Sequence, residues 1–101
     1  MRWLNCVHII TKKRIIEAKI KYKNCASALE SWYTIINKNN FFNFSDLKKT
    51  FNTLDKVGDL YVFNIGGNKL RLIASIHFNR QKIYIRNILT HKEYDEDTWR
   101  I

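Results

Sequence analysis

The chain has 101 residues, 46% of them apolar, which is enough for one hydrophobic core, too little for two, and too apolar for wholesale disorder. Eighteen Lys and Arg face nine Asp and Glu, a net charge of +9. Four of the nine acids (Glu93, Asp95, Glu96 and Asp97) crowd the C-terminus, so residues 1–92 carry 17 basic against five acidic side chains. Such a field attracts polyanions, nucleic acid foremost, although it also serves plain solubility. The apolar "WLNCVHII" near the start is only eight residues long and lacks a small-residue cleavage pattern, so no signal peptide is predicted. No stretch approaches the ~20 apolar residues of a membrane span. Cys6 and Cys25 form neither a metal-ligand spacing nor a disulfide framework, and two reduced thiols in a cytoplasmic protein are expected.

Along the chain, "LNCVHII" reads as a short first strand. Thr11 is placed to cap a basic helix, "KKRIIEAKIKYK", with Ile15, Ile16, Ala18 and Ile20 as inward candidates. A second helix, "ASALESWYTIINK", has Ser27 and Glu30 at capping-box spacing and Leu29, Trp32, Tyr33 and Ile36 on one face. A polar and aromatic loop follows, and Ser45 is expected to cap a short helix, "DLKKTF". From residue 60 the period becomes two. "LYVFNI", "KLRLIASIHF" and "KIYIRNILT" make three strands joined by tight turns at Gly66-Gly67-Asn68 and Asn79-Arg80. The fold class is α+β, with two N-terminal helices packed on one face of a small twisted, mainly antiparallel sheet, in a single domain over residues 1–101.

Alternation assigns the exposed face of the last two strands. Lys69, Arg71, Ile73, Ser75 and His77 fall together, as do Lys82, Tyr84, Arg86, Ile88 and Thr90. With a two-residue turn, His77 opposes Lys82, Ser75 opposes Tyr84, Ile73 opposes Arg86 and Arg71 opposes Ile88. Arg71 and Arg86 then become diagonal neighbours about 7–8 Å apart, able to converge on one phosphate. Tyr84 offers a ring for base stacking. The alternative is a solvated face whose charges only prevent edge aggregation.

"THKEYD", residues 90–95, is a capping box from Thr90 to Glu93, with Leu89 and Tyr94 at hydrophobic-staple spacing. A purely structural role accounts for that spacing. The same cap would also hold His91, the side chain best suited to move protons near neutral pH, at the rim of a basic sheet.

The elements YVFN-x-GGN-x-LR, YIR and THKEYD, together with "SDLKKTFNTLDK" before them, resemble the C-terminal signature of the HigB toxins, mRNA interferases of type II toxin-antitoxin modules in the RelE-like superfamily. The resemblance covers about residues 45–95 and weakens over the helical N-terminal third. It implies endonucleolytic cleavage of mRNA at the ribosome, without metal or other cofactor, through attack of the RNA 2′-hydroxyl on the adjacent phosphate. Carried over by motif, Arg71 and Arg86 would stabilise the transition state and His91 would be base or acid, with Tyr94 or Lys92 assisting. Lys69, Lys82, Tyr84, Lys92, Lys48, Lys49 and Lys56 would hold RNA, and Asn64 and Asn68 would serve turn geometry. The resemblance further implies a HigA-type helix-turn-helix antitoxin, assembled with the toxin as a heterotetramer that reaches operator DNA only through the antitoxin. No membrane association is expected. Two other classes fit the composition: an inert RNA- or ribosome-binding module that blocks translation, and an interaction protein without nucleic-acid affinity.

Overall fold

The computed structural model describes residues 8–9, 12–67 and 69–96. In chain order these form β1 (His8–Ile9), α1 (Lys12–Lys21), α2 (Ala26–Lys38), α3 (Phe44–Thr50), β2 (Asp55–Val57), β3 (Leu60–Ile65), β4 (Leu70–His77), β5 (Lys82–Thr90) and α4 (His91–Asp95). One five-stranded sheet has the order β1-β5-β4-β3-β2. β1 runs parallel to β5, and every other pairing is antiparallel. The expected α+β class and mainly antiparallel sheet are therefore present. The remainder of the predicted first strand, Thr11 and Asn68 lie outside the described residues. No helix among the described residues is long and apolar enough to cross a membrane.

The helices meet the sheet through narrow stripes. On α1, Ile15 and Ala18 are buried, whereas Ile16 and Ile20 are 49% and 67% exposed, contrary to the inward placement expected for them. At 100° per residue, positions 16 and 20 lie on the opposite side of the helix from 15, 18 and the half-buried Tyr22. α2 buries Leu29, Trp32 and Ile36. Its predicted Ser27–Glu30 box is absent. A 3-10 turn over Lys23–Cys25 leads directly into the helix, and Cys25 occupies the cap position without a side-chain bond. Glu30 instead accepts from Lys19 of α1 at 2.6 Å, an ion pair that holds its carboxyl below the usual range. α3 begins one residue before the predicted Ser45 cap. Asn43 accepts from the Asp46 amide at 2.9 Å, and Asp46 accepts from the Phe42 amide at 3.0 Å.

Trp32, Phe51 and Phe63 interlock edge to face in the core, with centroids 5.3 and 5.1 Å apart around Phe63. Each fully buried aromatic or aliphatic side chain contributes about 1.5–3 kcal/mol by leaving water. β2 was not anticipated from the sequence. It pairs with β3 across a two-residue turn in which Gly58 adopts φ +60. Gly66 and Gly67 both take the positive φ expected of them, but the β3–β4 loop spans four residues, because the last pair is Ile65 with Leu70.

The β4–β5 register agrees with the alternation at its turn end and departs from it beyond. His77 faces Lys82, and Ser75 faces Tyr84, as expected. The connecting loop contains a 3-10 turn over Phe78–Arg80 and a left-handed Gln81 (φ 54). Gln81 donates through Nε2 to the carbonyls of Phe41 and Phe78 at 2.8 and 2.7 Å. Between Ile73 and Ala74 the register shifts. Ala74 pairs with Ile85 but Ile73 pairs with Asn87, so Arg86 is the extra residue of a β-bulge. A one-residue insertion reverses facing parity. Ile88 therefore packs on the helix side with Ile83 and Ile85, while Leu89 joins Val62 and Ile73 on the outer side, the reverse of the predicted assignment.

Candidate active site

The outer face of the sheet can be read in cross-strand rows. Asn64, Arg71 and Leu89 form one row, and Val62, Ile73 and Asn87 form the next. Ser75 with Tyr84, then His77 with Lys82, continue toward the turn. The Val62–Ile73 pair is only 2% and 1% exposed, a small second core that Val57, Leu60, Leu89 and Tyr94 help to cover. The α4 end of this face is thus dry beneath and polar above.

α4 is a single turn and depends on its cap, since so short a helix is not stable alone. The predicted capping box is complete. Thr90 Oγ1 accepts from the Glu93 amide at 3.2 Å, and Glu93 Oε1 accepts from the Thr90 amide at 2.9 Å. Those bonds hold the Glu93 carboxyl below its ordinary range, the Thr90 amide first, with Thr90's hydroxyl, Lys21 and Tyr22 also acting against partial burial. Leu89 and Tyr94 both pack on the Val62–Ile73 pair, which fits the predicted staple.

Two side-chain pairs gather here. The Arg71 guanidinium lies over the Tyr94 ring, 5.6 Å from its centroid, a cation–π contact that joins β4 to α4. One turn back on α4, His91 Nδ1 stands 3.0 Å from Asp95 Oδ2, both side chains being more than half exposed. A carboxylate on one ring nitrogen selects the tautomer and aims the other nitrogen outward. Asp95 was not singled out from the sequence, although its i,i+4 spacing from His91 was the available signal.

Arg86 does not fulfil the expectation set for it. The bulge pairs Arg71 with Leu89 instead of Ile88 and leaves Arg86 as the exposed extra residue, so the two arginines are not diagonal neighbours. Asn64 is not a turn residue. It sits within β3 directly across from Arg71, a position hidden until β3 and β4 are aligned. Lys69 is exposed at the end of the β3–β4 loop, one residue before β4, and Lys92 is exposed on α4. Lys82 and Tyr84 are on the outer face, toward the turn.

The three remaining lysines lie elsewhere. Lys56 belongs to β2, where it pairs with Tyr61 and lies over its ring at 5.7 Å on the helix side. Its Nζ donates to the Gly58 carbonyl. Lys48 of α3 donates to the Leu54 carbonyl at 2.7 Å, and Lys49 is exposed beside it. A cleft of about 220 Å³ lined by Arg14, Glu17, Ala18, Lys21, Tyr22 and Ile88 also opens on the helix side. Among the described residues, no group of three or more His, Cys, Asp or Glu side chains could hold a metal ion.

Residues 25–97 match the family described as HigB toxin, the RelE-like toxic component of a toxin-antitoxin system. The chain is 42% identical over 92 residues, 88% of each chain, to the mRNA interferase toxin HigB of Escherichia coli strain K12. The mRNA interferase HigB of Shigella flexneri gives the same identity and coverage. An mRNA interferase HigB from a second Escherichia coli strain is 37% identical over 95 residues, covering 91% of this chain and 92% of the relative. With a family match across most of its length and relatives at that identity, this chain belongs to the HigB family of RelE-like toxins of toxin-antitoxin systems.

Proposed function

We propose that this chain is the toxin of a toxin-antitoxin pair and an endoribonuclease that cleaves mRNA held on the ribosome in the cytoplasm, with no metal in the reaction. The observation that carries the reading is the junction of β4 and α4. Arg71 stacks over Tyr94 there, and the capped helix bears the His91–Asp95 pair.

The reaction needs three things: a base for the 2′-hydroxyl, positive charge for the phosphorane oxygens, and an acid for the departing 5′-oxygen. The 2′-oxygen forms a bond to phosphorus as its proton goes to the base. The bond to the 5′-oxygen breaks as that oxygen receives a proton, leaving a cyclic phosphate and a 5′-hydroxyl. His91, with one ring nitrogen occupied by Asp95, serves as base or acid at the other. Tyr94 and Lys92 are the further proton donors on the same turn. Arg71 supplies charge and planar donors, its orientation supported by the Tyr94 ring. Arg86, exposed at the bulge, contributes to RNA binding and charge without sharing one phosphate with Arg71.

Lys69, Lys82 and Tyr84 extend the same face as backbone and base contacts. Lys48, Lys49 and Lys56, on the other side of the sheet, are assigned to ribosomal RNA contacts. A HigA-type helix-turn-helix antitoxin, joined to the toxin in a heterotetramer and carrying it to operator DNA, completes the proposal.

The test is induction of the wild type and of His91→Ala in bacteria, followed by mapping of new mRNA 5′ ends. Growth arrest with new ends inside translated messages, lost in the variant, is the expected result. Arrest without new ends would mean a ribosome binder that blocks without cutting. Normal growth with abundant folded protein would reduce "THKEYD" to a capped helix.

A further inference from the structure

Beyond the dry Val62–Ile73 row, at the turn end of β4–β5, two rings stand together on the outer face. His77 and Tyr84 have centroids 5.4 Å apart and ring planes at 88°. A T-shaped pair covers at most one face of one ring, so ring surface is left over. Ser75, directly opposite Tyr84, is too small to cover it. His77 is exposed and Tyr84 half-buried.

The surroundings have one sign of charge. No Asp or Glu occurs anywhere from residue 69 to residue 92, whereas Lys69, Arg71, Arg80, Lys82 and Arg86 do. Lys82 faces His77 across the strands, and Arg80 is exposed in the turn between them. A hairpin that combines free ring faces with cations and excludes carboxylates suits a single-stranded polyanion with stacking bases. An acidic protein segment would account for the charge and leave the ring pair without a use.

We propose that His77 and Tyr84 form a base-stacking subsite, with Lys82 and Arg80 on the flanking phosphates. The proposal rests on the reading of Arg71, His91 and Tyr94 as the cutting site. Ser75, the partner of Tyr84, lies four residues from Arg71 along β4, which is roughly 13 Å at the rise of an extended strand. A stacked nucleic-acid strand advances about 3.4 Å per nucleotide, so this distance spans about four nucleotides, and fewer where the bases are splayed. The subsite therefore reads a base two to four nucleotides to one side of the cut. Stacking strength, greater for purines, sets the preference.

Two measurements test this. The first is the base composition around mapped cut sites for wild type, Tyr84→Ala and Tyr84→Phe. The second is titration of purified protein with a single-stranded oligodeoxynucleotide, which lacks the 2′-hydroxyl and is not cut. The expected result is a bias within that window that Tyr84→Ala flattens and Tyr84→Phe retains, with affinity about 5- to 150-fold lower for Tyr84→Ala and little changed for Tyr84→Phe. His77→Ala, a change at an exposed position, should also weaken binding and serves if Tyr84→Ala does not fold. Unchanged bias and affinity in the folded alanine variants would overturn the subsite, as would a wild type without bias in that window. Equal loss in Tyr84→Phe would assign the contact to the hydroxyl and overturn stacking. A wild type that never cuts RNA defeats the cutting-site reading instead, and the oligodeoxynucleotide titration then decides the stacking surface by itself.

Discussion

Removing Thr90 and Glu93, singly and together, asks whether α4 is held by reciprocal bonds or only by the packing of Tyr94. Thr90→Ala deletes the acceptor 3.2 Å from the Glu93 amide. Loss of such a cap costs about 1 kcal/mol, within a range of about 0.5–2. Glu93→Ala deletes the acceptor 2.9 Å from the Thr90 amide. A bond to a charged group would cost about 1.5–3 kcal/mol when buried, and the partial exposure of Glu93 brings this to roughly 1 kcal/mol. The two bonds run from different side chains to different amides, so their coupling passes through the turn they share: fraying after the loss of one weakens the other, and the double variant should lose less than the sum by about 0.5–1 kcal/mol. Urea unfolding followed by tryptophan fluorescence reads the global change, since Trp32 is buried against Phe63. Amide exchange at residues 93–96 reads local opening of the helix, which can occur without global unfolding. Strictly additive single effects, or Thr90→Ala indistinguishable from wild type in both measurements, would refute the reciprocal cap. Thr90→Ser should recover most of the loss.

The remaining predictions concern charge, tautomer and backbone. The Glu93 carboxyl is depressed in the folded protein, so its contribution to stability is present above the ordinary carboxylate range and is lost as pH falls through the folded value. Glu93→Gln should therefore flatten the acid limb of a stability-versus-pH curve and have little effect on its slope near neutrality. Asp95→Asn keeps the shape next to His91 Nδ1 but no longer favours a proton there, and the rate of RNA cleavage in single-turnover assays should fall at least 10-fold with unchanged RNA affinity. Gly66 adopts φ +64, while its nearest side-chain neighbour, Cys25 Sγ, would sit at an ordinary 3.5 Å from an added Cβ. Gly66→Ala should thus cost about 1–2 kcal/mol of left-handed strain in urea unfolding, without any packing defect.

Much of this molecule is legible in its sequence, where one local rule acts alone. The α2 boundaries, the buried Leu29, Trp32 and Ile36, the capping box at Thr90 and the positive φ of Gly66 and Gly67 each follow from a short window of sequence. The errors arose where two rules compete. Ser27 and Glu30 had the spacing of a box, but a 3-10 turn through the buried Cys25 set the helix start, and Glu30 went to Lys19 instead. On α1, isoleucines 15, 16 and 20 cannot share one face at 100° per residue, and the pair 16 and 20 lost.

The β5 error reached the site itself. Strict alternation through Ile83, Ile85 and Asn87 placed Arg86 beside Arg71, whereas the apolar residues that reach the helix side are Ile83, Ile85 and Ile88. That step of three after a step of two was the visible trace of the bulge. The Arg71–Tyr94 contact, by contrast, depends on how α4 folds back over β4, which no window of sequence contains.

The parallel pairing of β1 with β5 also orders events in time. His8 and Ile9 take their partners from Lys82 and Ile83, so β1 is completed only once β5 has been made. A chain growing from its N-terminus can form α1 and α2 early, but their apolar stripes have no sheet to cover until β3, β4 and β5 have emerged. Arg71 and His91 likewise meet their surroundings only after Tyr94 is in place. The nascent chain therefore has neither a finished core nor a finished site until β5 and α4 have emerged, and acquires both together at that point.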